Sequence, residues 1–208
     1  MNDKRGYFVA AEGIPFLLVM VLVTGLTWNF GGIARAWIPF LLLVSLYLVF
    51  RDPRRVVPPV ALGVVSPVDG KIVEIGTSDT GAIEGGALRI VIRIDIVGTY
   101  TARSPVEGKV MDLNALTRAG TTAEKIRGLW VSTDEGENVV LQFHGNRFGI
   151  APRGFLQYGE RVGQGQRCAY LRLTKFAEVA LPTGARVLVS QGQHVSAGED
   201  LLANLPHP

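Results

Sequence analysis

Two long apolar runs near the N-terminus constrain this chain more than any other feature. Residues 13–28, GIPFLLVMVLVTGLTW, and residues 36–50, AWIPFLLLVSLYLVF, contain no charged side chain. Each run reaches the ~20 residues of a bilayer crossing when it is extended to include one ion, Glu12 or Arg35. The NFGG between them indicates a turn. The sequence therefore predicts a membrane-anchoring helical hairpin over residues 1–51, spanning or re-entrant.

Two alternatives are a cleaved signal peptide and a buried core hairpin. A signal peptide does not explain the second run, and no A-x-A-like cleavage site follows the first.

Cations flank the two runs, whereas only Arg35 lies between them. The positive-inside rule assigns cation-rich flanks to the cytoplasm. We therefore expect a cytoplasmic (inner) membrane protein whose following domain lies on the cytoplasmic face, with the basic FRDPRR juncture at the lipid headgroups. The flanking cations are Lys4, Arg5, Arg51, Arg54 and Arg55.

Charge and cysteine content exclude two classes of protein. Four cations and two carboxylates give residues 1–51 a net charge of +2, which leaves +1 of the total +3 for residues 52–208. A net charge of +1 is too small for a surface that binds nucleic acid, so we expect no nucleic-acid partner. A single cysteine, Cys168, precludes an internal disulfide and suits a reducing compartment.

The domain at residues 52–208 is predicted to be mainly β. SPVDGKIVEI at residues 66–75 and SPVEGKVMDL at residues 104–113 share a tight-turn motif that leads into an alternating strand. Residues 159–171 and 192–204 share G-x-x-V-x-x-G, which indicates a strand, a glycine bend and a second strand.

Two repeated units predict a compact barrel or sandwich with internal pseudo-repeats. This style of repeat resembles the barrel-sandwich hybrid of lipoyl and biotinyl domains. Residues 114–128 interrupt the pattern and are predicted to be a loop with a short helical turn.

The order of these motifs resembles the short form of phosphatidylserine decarboxylase over nearly the whole chain. An apolar hairpin ends in FRDPRR, VVSPVDGKIVEI follows, then R-S-P-V-x-G-K-V, then a glycine-rich β unit. The resemblance implies a membrane phospholipid as ligand and a homodimer. It also implies a self-made cofactor: the serine of a Gly-Ser pair cleaves the chain and becomes a pyruvoyl group, the electron sink for decarboxylation.

Two residues match the family motifs. Asp69 lies where the resemblance places the self-cleavage base. The alternative is a turn aspartate that bonds its own backbone, since Glu107 in the parallel turn shows that an acid there can be merely structural. Arg103 matches the arginine of the second motif and could hold a lipid phosphate or carboxylate. Its alternative is a solvated charge.

Four other positions depart from the family pattern. Tyr100 replaces a histidine, and Gly98 replaces the acid that usually precedes it. Thr174 and Lys175 replace the Gly-Ser pair, so the self-cleaving hydroxyl is missing. We therefore expect an uncut chain with no pyruvoyl cofactor, a pseudoenzyme that binds aminophospholipids or modulates an active paralogue.

Further hypotheses remain open. The chain could be an active decarboxylase whose maturation differs from that of the family, or a carrier with Lys175 at a hairpin tip, as in lipoyl domains. Lys175 could also be a solvated turn residue without a role. No metal site is expected, because His144, His194 and His207 are scattered.

Overall fold

The computed structural model describes residues 8–78, 86–112, 127–145, 150 and 152–206. It separates into two compact units, Met1–Arg54 and Arg55–Pro208.

The first unit is a helical hairpin, as the sequence predicts. A 3₁₀ turn, Ala11–Gly13, leads into α1 (Ile14–Gly31), and α2 follows at Ile33–Phe50. Gly32 joins them with φ at +68°, a backbone conformation that favours glycine. The stretches Ala11–Gly31 and Ile33–Phe50 have mean hydropathies of 1.8 and 2.0 and are long enough to cross a membrane.

Backbone hydrogen bonds close the base of the hairpin. The Ala10 N–H donates to the Phe50 carbonyl and the Asp52 N–H donates to the Phe8 carbonyl, each at 2.8 Å. Gly13 lies against the ring of Phe50, where a Cβ would overlap the side chain. Most of the large apolar side chains of both helices are exposed.

The second unit is mainly β, and its described residues form fourteen strands. They are β1 Gly63–Val65, β2 Gly70–Ser78, β3 Ala87–Ile94, β4 Thr101–Arg103, β5 Gly108–Asp112, β6 Arg127–Ser132, β7 Asn138–His144, β8 Arg153–Gly154, β9 Arg161–Val162, β10 Arg167–Tyr170, β11 Phe176–Pro182, β12 Arg186–Val187, β13 His194–Val195 and β14 Leu201–Asn204.

The predicted fold class is confirmed, because these strands form a curled antiparallel sheet with two smaller sheets. The large sheet has the order β13-β2-β3-β11-β7-β6-β5-β9, and the smaller ones are β1-β14-β12 and β4-β10-β8. Alternate residues of the central strands, such as Ile72, Ile92 and Ala177, fill one core. Burial of these apolar faces is the main source of stability for such a curled sheet.

The first pair of sequence repeats forms the same turn twice. The hydroxyls of Ser66 and Ser104 each donate to the carbonyl two residues later, both at 2.7 Å. β2 and β5 then begin at Gly70 and Gly108, as the motif predicts.

The second pair of repeats docks onto the first pair. The Gly165 N–H donates to the Ser104 carbonyl at 2.9 Å, and the Gly198 N–H donates to the Ser66 carbonyl at 2.7 Å. Both glycines have positive φ, +69° and +74°, so the two bends use equivalent conformations. The internal repeat seen in the sequence is therefore also a pseudo-symmetry of the structure.

The predicted loop at residues 114–128 is wrong at its C-terminal end. It overlaps β6, which begins at Arg127. The strand continues because Gly128 pairs with Gln142 of β7, a long-range partner that a local pattern does not indicate. Residues 114–126 lie outside the described residues.

Gly70 is expected to tolerate no side chain, because a Cβ there would overlap the carbonyl oxygen of Arg93. Gly70→Ala should lower the free energy of unfolding by about 2–3 kcal/mol. The matched control is Gly76→Ala on the same strand, where the nearest atom to a new Cβ is 4.0 Å away. Thermal unfolding of both variants in detergent checks this, and equal midpoints would contradict it.

Candidate functional site

The residues predicted from the family pattern lie on neighbouring connections of the β unit, except Arg103, which ends β4. Backbone hydrogen bonds join these connections: the Asp95 N–H donates to the Asp69 carbonyl at 3.0 Å, and the Ile94 N–H donates to the Lys175 carbonyl at 2.8 Å. The connections are residues 66–69 before β2, residues 95–100 between β3 and β4, and residues 171–175 between β10 and β11.

Asp69 accepts hydrogen bonds from three separate segments. Its Oδ1 accepts from the Ala197 N–H at 2.7 Å, and its Oδ2 accepts from the Thr99 N–H at 2.8 Å. Arg55 Nη2 reaches both oxygens, at 3.2 and 3.1 Å, while its Nη1 binds Glu199 at 2.8 Å. These charge-assisted contacts tie the segments together. The expected structural alternative was a carboxylate that bonds the backbone of its own turn. The observed donors to Asp69 lie in other segments of the chain.

Gly98 lies directly against Asp69. A Cβ at residue 98 would be 2.9 Å from the Asp69 Cβ and 3.5 Å from its Oδ2. A carboxylate at residue 98 would also be repelled by the like charge of the Asp69 carboxylate. The absence of a side chain at Gly98 therefore allows residues 95–99 to pack closely against Asp69.

Arg103 is buried at 7% exposure, so the alternative of a solvated charge is wrong. Its N–H donates to the Pro67 carbonyl at 2.8 Å, and its Nη1 donates to the Gly165 carbonyl at 3.0 Å. A Cβ at Gly198 would lie 2.9 Å from the Arg103 Cδ. The side chain thus runs between the two pseudo-symmetric glycine bends and holds them together.

Tyr100 takes part in an aromatic cluster. Its ring is 6.0 Å from that of Tyr170, which in turn is 5.2 Å from the ring of Phe155. The Tyr100 carbonyl accepts the Leu171 N–H at 2.9 Å, which places residues 98–100 beside the connection that carries Lys175.

Thr174 and Lys175 have different surroundings. Thr174 is buried at 8% exposure, and its hydroxyl donates to the Leu171 carbonyl at 2.7 Å. Lys175 is exposed and directly precedes β11. The prediction that Lys175 lies at the tip of a hairpin is wrong, because β10 and β11, the strands on either side of it, belong to different sheets.

Comparison with known proteins identifies the family. The model of the family described as phosphatidylserine decarboxylase matches residues 46–203. The chain belongs to the phosphatidylserine decarboxylase family. It is 34% identical to the phosphatidylserine decarboxylase proenzyme of Burkholderia mallei strain SAVP1, over 95% of each chain. Identity to the proenzyme of Paraburkholderia xenovorans is 32%, over 95% of this chain and 97% of that protein.

A solved structure with a partial likeness is glucose permease IIA from Mycoplasma capricolum. Its TM-score is 0.47 and its identity 18%, over 68% of this chain and 94% of that one.

Arg55 is the site residue whose role sequence reasoning missed in this family member. The FRDPRR motif led us to expect a cation at the lipid headgroups, whereas the structure pairs Arg55 with Asp69 and Glu199. Glu199 is 144 residues away in the chain, so no local pattern could indicate the pair.

Two other reactive residues of the described chain, Cys168 and His144, do not form an alternative centre. Burial raises the pKa of Cys168 from 9.0 to about 12, despite the nearby Arg103 charge, so the thiolate nucleophile is disfavoured at neutral pH. His144 stacks on Phe176 at 5.4 Å, with Nδ1 3.9 Å from Glu178 Oε2. Among the described residues, no three His, Cys, Asp or Glu side chains are grouped to hold a metal ion.

Asp69→Asn should destabilise the β unit by about 2 kcal/mol, because it weakens charge-assisted bonds to Arg55 and two backbone N–H groups. The control is Glu107→Gln, since Glu107 occupies the parallel turn but is exposed. Chemical denaturation of the detergent-solubilised chain measures the difference. Equal loss in both variants would show that the Asp69 contacts contribute nothing specific.

Proposed function

We propose that this chain is a membrane-anchored member of the phosphatidylserine decarboxylase family that does not decarboxylate. On this proposal it binds aminophospholipids or regulates an active paralogue, as a homodimer or with that paralogue. The observation that carries the proposal is Lys175, which stands where the family resemblance expects the self-cleaving serine.

The chemistry of Lys175 does not fit a pyruvoyl cofactor. Self-cleavage needs a β-hydroxyl that attacks the preceding carbonyl and is later eliminated, and lysine carries none. A lysine amine forms Schiff bases with carbonyl substrates, but phosphatidylserine brings an amine. The side chain can therefore neither generate the electron sink nor replace it.

Thr174 is a poor substitute nucleophile. Its hydroxyl would have to attack the carbonyl of Leu173, but it donates to the carbonyl of Leu171 instead. Moving the reacting residue by one position, from 175 to 174, would also place its side chain on the opposite face of the chain that leads into β11. Both points support a chain that stays uncut.

The surroundings of the retained Asp69 also support inactivity. A general base must reach the proton that it removes, and both Asp69 oxygens already accept bonds from Arg55 and backbone N–H groups. The histidine position is taken by Tyr100. Tyrosine in general is a poor proton shuttle at neutral pH, because an unperturbed phenol has a pKa near 10.

The membrane part of the proposal rests on the helical hairpin. Two helices of sufficient length and hydropathy, flanked by cations on their outer ends, support an anchor in the inner membrane. The same asymmetry supports a β unit on the cytoplasmic face.

One rival is an active phosphatidylserine decarboxylase. It is favoured by the 34% identity to named proenzymes over 95% of the chain. The carrier hypothesis is weaker, because Lys175 does not lie at a hairpin tip.

Lipid analysis in cells that lack phosphatidylserine decarboxylase separates the two main candidates. With this chain expressed, phosphatidylserine should accumulate and phosphatidylethanolamine should stay at the level of the empty vector. The Burkholderia mallei relative serves as the positive control. Restored phosphatidylethanolamine that is lost again in Asp69→Asn would favour the active enzyme.

A further inference from the structure

A row of basic and aromatic residues crosses the outer face of the large sheet. In the strand register, His194 is opposite Lys71, Lys71 is opposite Arg93, Arg93 is opposite Phe176, and Phe176 is opposite His144. Directly opposite residues project from the same face of a sheet. The row therefore lies on the face opposite to the core residues that fill the interior.

Two cations of this row face each other without compensation. Like charges directly opposite on a sheet are destabilising. Within the described part of the chain, neither Lys71 nor Arg93 has a carboxylate at ion-pair distance. Asp95 lies 3.8 Å from His194, at the end of the row.

The neighbouring carboxylates on this face are engaged elsewhere. Glu74 pairs with Arg89, and the buried Glu178 lies 3.8 Å from the same guanidinium. Glu74 and Glu178 are both opposite Val91, one step along the sheet from the basic row. They do not neutralise the Lys71–Arg93 pair.

The pseudo-symmetric half of the unit provides an internal comparison. Lys109 occupies the position of Lys71, and it is opposite Arg161 and Ser132. There Arg161 forms an ion pair with Asp134. The equivalent row thus has a serine in the place of Arg93 and a carboxylate partner for its arginine.

We infer that the Lys71–Arg93 pair binds the phosphate of an anionic phospholipid and docks this sheet face on an anionic lipid surface. A phosphate between the two side chains would remove their repulsion. Half-buried Phe176 beside Arg93 makes the row amphipathic, as suits a lipid interface. The net charge of +1 over residues 52–208 argues against an extended polyanion.

This inference rests on the membrane attachment of the proposed function but not on the absence of decarboxylation. The proposed lipid contacts are made by Lys71 and Arg93 and not by Asp69, whose carboxylate is held by Arg55 and backbone N–H groups. Lipid analysis therefore reports on the reaction, and a measurement on Lys71 reports on the docking surface.

The test compares the acetylation rates of Lys71 and Lys109 in one molecule. The full chain is placed in nanodiscs of phosphatidylcholine alone or with about a third phosphatidylglycerol, treated with a neutral acetylating reagent, and analysed by mass spectrometry. Anionic lipid should slow Lys71 about fivefold relative to Lys109, which corresponds to ~1 kcal/mol for one cation at an anionic surface. Arg93→Gln should remove most of this protection.

Three results would overturn the inference. The two lysines could be slowed equally, which would indicate a general surface effect. Arg93→Gln could keep full protection of Lys71. Inorganic phosphate added to discs of phosphatidylcholine alone could protect Lys71 as strongly as phosphatidylglycerol, which would identify a small-anion site. Thermal unfolding of Arg93→Gln shows that the variant is folded, as expected for an exposed position.

Discussion

The β unit depends on one carboxylate that three segments share. Asp69 accepts bonds from Arg55, from the turn at Thr99 and from the bend at Ala197. A partly buried carboxylate needs such donors, because its charge loses hydration when the turns close around it. The family resemblance implies a catalytic role for this position, and its contacts in the fold add a structural one. Gly98 belongs to the same arrangement, since a side chain there would press against Asp69.

Internal pseudo-symmetry explains how one scaffold carries two different surfaces. The turns at Ser66 and Ser104 have the same hydrogen bonds, and each accepts the N–H of an equivalent glycine bend. Side chains that do not support these bonds have diverged between the halves. Arg93 stands where the other half has Ser132, so an uncompensated pair of cations arises in one half alone.

Local patterns in the sequence predicted the elements that depend on local forces. The apolar runs predicted the helices, and the serine turns with alternating residues predicted β2 and β5, because periodicity and turn chemistry act over a few residues. The burial of Arg103, the pairing of Arg55 with Glu199 and the start of β6 at Arg127 depend on distant strands. The sheet assignment of β10 and β11 likewise decides that Lys175 is not at a hairpin tip. The pairing of Arg55 with Asp69 likewise joins two segments that no local pattern connects.

The central claim is that the changes around Lys175 end self-processing in this family member. Self-processing breaks the backbone, so the intact mass of the purified full-length protein tests it most directly. The account predicts a single uncut chain of 22.5 kDa without an added group. Two fragments divided before Lys175, the second of them starting with a modified residue, would contradict it.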